Sequence, residues 1–471
     1  MTATSSWRCP ALLAAAVLAA TCYRPRAVDC VLACDVGGRC PRNMTCSAGL
    51  CSAGPACLVK AVAAGEAHSC ALIGGRVKCW GRNASGQLGV PDSADRGGSA
   101  DEMGDRLPWA GLGAGRIAVA LALGGQHSCA LLDGGAIKCW GSNRSGQLGQ
   151  GQLSDSLFAG DDDGLPPINL GQGRTAVAVA AGLYHTCAIL DSGAVKCWGD
   201  NRFGQLGIGA RGDRGAARDD MGDQLPVVDL GAPLPVAAIA AGAYHTCVVL
   251  AETGAVKCWG WNEYGQLGAG DARNRGLDAA DMGAALPAVD LGAGRKAARL
   301  AAGAFHTCAL LADSGEVKCW GLDSAGQLGV VPGTALQRGI SPGDLGDRLP
   351  VVDLGARQTA LAITAGASHT CALLGDASIR CWGLNFSGEL GTGDHINRGD
   401  SVEYPLGDGL PLVSLGNPAI GATSVAAGAN HTCAVQSAFV KCWGLNTYGR
   451  LGVGDLKQHS DASAVLLGSG G

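Results

Sequence analysis

The chain has 471 residues, 47% of them hydrophobic, which excludes general disorder and leaves room for two or three ordinary domains or one large repeat domain. Gly accounts for 77 residues and aromatics for only 4%, so short strands joined by many tight turns fit better than helical bundles. Thirty-five Lys+Arg stand against 40 Asp+Glu, and with no basic cluster this balance argues against nucleic acid or anionic lipid as the main partner.

Residues 1–21 read as a signal peptide. A single charge, Arg8, precedes the apolar run Ala11–Ala20 and small residues, and the run is too short to span a bilayer. Residues 22–57 hold seven cysteines, Cys22, Cys30, Cys34, Cys40, Cys46, Cys51 and Cys57, too dense for a hydrophobic core and fitting a small disulfide module of open connectivity. Cys22 directly follows the apolar run and resembles a lipoprotein processing site, although Ala19 and Thr21 depart from the usual residues there. Lipidation of Cys22 would leave six cysteines for three bridges; ordinary secretion would leave one odd thiol.

From residue 58 to 468 one period dominates. His68, His127, His185, His245, His306, His369 and His431 are spaced by 59, 58, 60, 61, 63 and 62 residues, the mark of a propeller or solenoid. Each unit runs through an apolar stretch such as "VAVAAGLYHTCAIL", a turn, a short "VKCWG", a "GQLG" turn, a polar loop and an "LPVVDLG" segment. That predicts three or four strands per unit, hence an all-β fold: a closed seven-bladed β-propeller with four-stranded blades.

The paired cysteines follow from hairpin register. With a two-residue turn at Gly74-Gly75, Cys70 falls opposite Cys79 in a non-hydrogen-bonded pair about 4.5 Å apart, within disulfide reach. Turn length and cysteine spacing change together in Cys129–Cys139, Cys187–Cys197, Cys247–Cys258, Cys308–Cys319, Cys371–Cys381 and Cys433–Cys442, keeping the pairs opposed. The competing reading is fourteen buried free thiols; the lockstep in a chain expected to be exported favours disulfides. The recurring His and Cys could in principle ligate zinc, but each unit supplies one His, two opposed Cys and no fourth ligand, so the histidines are expected to hydrogen-bond inside their blades. The Trp of "CWG" is expected to pack between blades. No catalytic constellation recurs, because the Ser/Thr beside each His points away from it and has no acidic partner at constant offset.

These motifs closely resemble the regulator of chromosome condensation repeat family, whose members are seven-bladed propellers. The "W-G-x-N-x-x-G-Q-L-G" pattern stands at Trp80, Trp140, Trp198 and Trp259 and drifts at Trp320, Trp382 and Trp443. The paired cysteines look like an exported bacterial branch. The family's best-known activity, nucleotide exchange on a small nuclear GTPase with chromatin binding, is not what this chain implies: it has an export signal, no basic tail and no inserted hairpin long enough to act as a wedge. The resemblance to a secreted propeller that inhibits β-lactamases implies instead a face that binds a protein.

The connecting loops are long and acidic, and Asp101, Asp105, Asp161, Asp162, Asp163, Asp219, Asp220 and Asp281 are the candidate partner-binding residues. The expected function is a non-catalytic scaffold, secreted or held at the outer membrane or cell surface by a lipid. It is expected to be monomeric, to need no cofactor or metal and to recognise a protein partner. A structural envelope protein is the alternative, and a hydrolase or exchange factor stands third. Within the final "SAVLLG", Ser463 to Gly468, the stretch Ala464 to Leu467 is expected to pair with the first unit's strands and close the ring.

Overall fold

The hairpin register predicted from the cysteines is the register found. In the computed structural model, which describes residues 59–153, 165–231, 234–330 and 336–468 and the short strands Val31–Ala33, Thr45–Ser47 and Leu50–Ser52, Ile73 faces Arg76, Leu72 faces Val77 and Cys70 faces Cys79. Seven disulfides close the seven hairpins, each with its Cα atoms 4.1 Å apart. The longer turns keep this opposition by adding residues beyond the last pair: Leu132 N donates to Ala136 O around a three-residue loop, and Leu250 N to Ala255 O around a four-residue one.

Each blade is a meander of three antiparallel strands. Blade 3 is typical, with Ala176–Ala181, His185–Leu190 and Val195–Gly199 in that order. The first strands of neighbouring blades touch one another around the whole ring, last against first, so they surround the axis. In every blade the first strand carries a bulge at its second residue. The expected fourth strand is mostly absent. The "LP…LG" segments run beside the third strand of their own blade and are tied to it by one recurring backbone bond, such as Val228 N to Val195 O at 2.9 Å. Proline and the polar residue before "LG" leave them no longer ladder to extend. Regular fourth strands occur in two blades, Gln337–Arg338 in the fifth and His459–Ala464 in the seventh.

Strand alternation explains why Cys and Trp are neighbours in sequence. Successive residues point to opposite faces of a strand, so one face of each blade presents the disulfide and the other presents Trp. Seven apolar clusters fill the spaces between blades, and in blade 4 Trp259 packs on the Cys187–Cys197 side of blade 3. Both faces are buried, which is why the strands read as nearly continuous apolar runs. The Gly after each Trp is obligatory for a steric reason: Gly81 has φ +105°, and a Cβ there would lie 2.5 Å from Ala67 O and 2.7 Å from His68 Cα.

Closure differs from the expectation. His459–Ala464 pairs with Phe439–Gly444 of its own seventh blade, not with the first: Ser463 stands opposite Cys442 and Ala464 opposite Lys441 along the outer edge of that third strand. The segment reaches blade 1 through loop contacts instead: Gly104 N donates to Leu466 O at 2.8 Å and Lys78 Nζ to Leu467 O at 2.9 Å. Blades 7 and 1 otherwise meet as any two neighbours do, over a cluster joining Val62, Ile73 and Trp80 to Val435 and Leu451. Cys46 and Cys51 stand opposite each other in the short N-terminal sheet, while Cys22, Cys30, Cys34, Cys40, Cys57 and Asp161, Asp162 and Asp163 lie outside the described residues.

Because each staple spans one hairpin only, its loss should be local. Replacing Cys247 and Cys258 together by Ala should cost about 2–3 kcal/mol on the chain-entropy estimate and leave the other six links intact. Denaturant unfolding and peptide mapping check this; links between blades in the wild-type map would overturn the register.

Candidate functional site

The motif "H-[ST]-C" lies at the start of the middle strand, where its side chains meet the next blade. His127 Nε2 is 2.9 Å from Thr186 Oγ1 in blade 3, and that hydroxyl donates to Gln147 O in blade 2 at 2.9 Å. Trp198 Nε1 of blade 3 donates to the same carbonyl at 3.0 Å. The expected bond within the blade is therefore a bond between blades. The pattern repeats around the ring, with Ser128, Thr246, Thr307, Thr370 and Thr432 as further hydroxyls. It closes from blade 7 to blade 1 through His431, Ser69, Trp80 and Arg450 O.

The chemistry fixes the histidine tautomer. Each hydroxyl gives its single proton to a carbonyl, so it must accept from His Nε2–H, and Nδ1 is left as an unprotonated acceptor. All seven Nδ1 atoms are buried without a partner. Burial holds the rings neutral, driving the pKa of His68, His185, His245 and His306 to about 3 and of His127 and His369 to about 4, while His431 lies well below the ordinary value. The rings are packed to the limit: a Cβ on Gly124 would lie 2.2 Å from His127 Cε1 and 2.5 Å from Gly182 O. This is a structural network with no room for substrate. Among the described residues no three His, Cys, Asp or Glu side chains gather as a metal site.

A second interblade contact went unread in the sequence, although a cation recurring in a buried strand was its signal. Lys196 Nζ donates to Leu170 O of the preceding blade and to Gly222 O of its own loop, at 3.0 and 2.7 Å. Lys78, Lys257, Lys318 and Arg380 make the equivalent pairs. Burial lowers the pKa of Lys78, Lys196, Lys257 and Lys318.

The acidic loops are largely committed to structure. Asp220 Oδ2 accepts from Ala217 N at 2.7 Å to close a short turn, as Glu102 and Asp344 do in their loops. Asp101 pairs with Arg106, and Asp281 lies 3.7 Å from Arg273. Asp105 faces the Lys78 ammonium electrostatically, and Asp101, Asp105 and Asp219 are exposed. The loops also clasp the blade before them, as where Gly209 N donates to Gly276 O at 3.1 Å.

A stronger candidate lies at the end of the blades opposite the hairpin turns. The residue before each His and the residue after each "WG" meet there, as Trp261 N donates to Tyr244 O at 2.9 Å. These positions vary between units, and in blades 3 to 5 they fill with rings. Trp261 stacks on Phe203 at 5.1 Å and 17° and meets Tyr244, Tyr264 and Phe305 between 5.1 and 5.8 Å, with Tyr184 beyond Tyr244 at 6.3 Å. All six rings are half-buried. Of the chain's 5 Phe and 6 Tyr, five sit in this one patch, which singles it out. Arg202 lies 5.9 Å over the Tyr244 ring, and Phe386 of blade 6 is 78% exposed at the position equivalent to Arg202.

Family models described as the regulator of chromosome condensation (RCC1) repeat match residues 59–87, 118–147, 176–205, 236–266, 298–327 and 361–389, and, in longer form, 135–189, 192–249 and 253–310. The chain is 32% identical over 401 residues to the ultraviolet-B receptor UVR8 of Arabidopsis thaliana, covering 84% of this chain and 78% of that protein. Among solved structures it is similar to yeast RCC1 (Prp20) bound to Kap60, with a TM-score of 0.61 at 20% identity over 95% of this chain and 89% of that one. Prp20p from Saccharomyces cerevisiae, a protein with binding properties to Gsp1p and histones, gives 0.60 at 21% over 87% and 88%. At those identities the two structures show the shared fold.

The histidine ring predicts the response to acid. The folded pKa values lie below the unfolded value of about 6.5, so between the two the unfolded chain takes up protons that the folded chain refuses. Stability from this source is complete above about pH 6.5 and is lost as pH falls toward the folded values, by about 1.4 kcal/mol per pH unit for each histidine. Urea unfolding from pH 7.5 to 4.5 should show a steep decline below about pH 6.5; a flat profile would contradict the buried neutral ring.

Proposed function

We propose that this chain, which belongs to the regulator of chromosome condensation repeat family, is a non-catalytic binding scaffold that holds a protein partner against the face carrying Trp261. One observation carries the reading: six contiguous half-buried rings beside an exposed arginine, the residue types that anchor protein interfaces, on a ring that is otherwise repetitive. The binding of Gsp1p and histones by Prp20p is a precedent for protein recognition by a propeller of this fold. The exposed residues Asp101, Asp105 and Asp219 are proposed as a rim, not as the anchor.

The proposal places this scaffold outside the cytoplasm, with residues 1–21 as signal, 22–57 as a disulfide module and 58–468 as the propeller. Seven buried disulfides support an oxidising compartment. The chain enters the ring at Val59, opposite Ile73 and next to the Gly74-Gly75 turn, on the face away from Trp261.

Two measurements test this. Trp261→Ala with Phe305→Ala should keep the melting temperature within a few degrees and reduce capture of a partner from periplasmic or culture fractions at least about tenfold. Capture equal to wild type would favour a structural role in the envelope. Cys22→Ala should release the protein from membranes into the soluble fraction; an unchanged distribution would remove the lipid anchor.

A further inference from the structure

The face that carries Trp261 also carries Arg202, Arg450, Arg82 and Arg144, and their partners differ. Arg202 Nε is 2.9 Å from Asp200, which is buried and also accepts from Gln205. Arg450 donates to the carbonyls of Thr447 and Glu66 and lies in the field of the Glu66 carboxylate. Arg82 and Arg144 meet no carboxylate among the described residues. By repeat position Arg82 corresponds to Trp261, the residue after "WG", and Arg144 to Arg202, the residue after the Asn, so both lie at the same end of the blades as the rings. Arg144 is exposed and Arg82 half-buried, with the Tyr448 ring 5.1 Å from its guanidinium. Tyr448 holds a φ of +66°, a strained setting for a ring residue, with Arg82 on one side and Arg450 at 5.9 Å on the other.

Going round the opening, blades 7, 1, 2 and 3 contribute guanidinium groups, and blades 3, 4 and 5 the ring cluster. Leu322, Leu384 and the exposed Phe386 extend the apolar part through blades 5 and 6. Carboxylates on this side include the exposed Glu263, the half-buried Glu66 beside Arg450, the buried Asp200 against Arg202 and Asp323 at the Asn position of blade 5. On a chain of net charge −5, Arg82 and Arg144 thus stand out as cations that meet no carboxylate among the described residues.

We propose that the partner of this face is an acidic polypeptide segment: its carboxylates pair with Arg82 and Arg144, and its aromatic or leucine side chains lie on the Trp261 cluster. This rests on the reading of the face as a protein-binding surface. The physical reason is the cost of desolvation. A partner covering this face takes Arg82 and Arg144 out of water, and a guanidinium buried without a counter-charge is expensive. The planar fork of arginine matches a carboxylate through two parallel bonds, which a neutral or basic partner does not offer. The ring cluster supplies the apolar contact that a purely ionic encounter lacks, since exposed ion pairs contribute little by themselves.

The test selects from a random displayed peptide library against the purified full chain. Enriched peptides should combine Asp or Glu with aromatic residues or Leu. A synthetic copy of one should bind at least about tenfold more weakly to Trp261→Ala and to the double variant Arg82→Glu, Arg144→Glu. Its charge-reversed copy, Lys for each acid, should prefer that double variant over wild type. Enrichment of basic peptides, or peptides that need Trp261 but ignore the arginine reversal, would overturn the acidic partner and leave the protein-binding face standing. Peptides indifferent to both changes would overturn both readings. Binding of a short heparin oligosaccharide that is lost in the double variant, with no peptide enriched, would replace the polypeptide by an anionic polysaccharide. No enrichment and no heparin binding would also overturn the proposal.

Discussion

The architecture depends on one backbone carbonyl per blade, that of Gln147 and its counterparts. It accepts a hydroxyl proton and an indole N–H from the following blade, and the hydroxyl in turn accepts from the histidine of the carbonyl's own blade. Four residues from two blades thus share one buried polar knot. A small rotation of one blade against its neighbour would break three bonds and leave four buried polar groups unpaired, each costing about 1–3 kcal/mol. The side chain that presents this carbonyl hardly matters: Glu389 and Arg450 supply it as well as Gln does. That is why the repeat drifts there without losing its geometry.

Much of this was legible in the sequence, and the part that was not has physical causes. The hairpin register followed from spacing, because a two-residue side-chain period turns cysteine separation into opposition, and the sevenfold His period set the blade count. Sequence periodicity reports which residues are equivalent but not what they touch. It therefore assigned the histidine bond to the wrong side of the blade boundary and left the Lys196 contacts unread. The fourth strand failed because "LPVVDLG" has strand composition but is anchored by a single backbone bond. The acidic loops drew attention by charge, yet Asp220 and Glu102 spend their carboxylates on nearby backbone N–H groups.

The aromatic patch illustrates a different limit. Tyr184, Tyr244 and Phe305 lie about sixty residues apart and gain meaning only when the period is used to stack the units. Aligning them would have shown the position before His changing from Ala67 and Gln126 to three rings in succession. Variation at one position of a rigid repeat is where recognition can be built without disturbing the core.

Closure without strand exchange has a consequence for the history and handling of such rings. Every blade is one unbroken stretch of chain, and the junction between the last and the first uses the same contacts as the other six. No interface is privileged, so the place where the chain is cut is not written into the packing. A circularly permuted chain opened between any two blades would meet the same interior. Duplication of a whole unit would alter the diameter of the ring while each boundary kept its own hydrogen bonds.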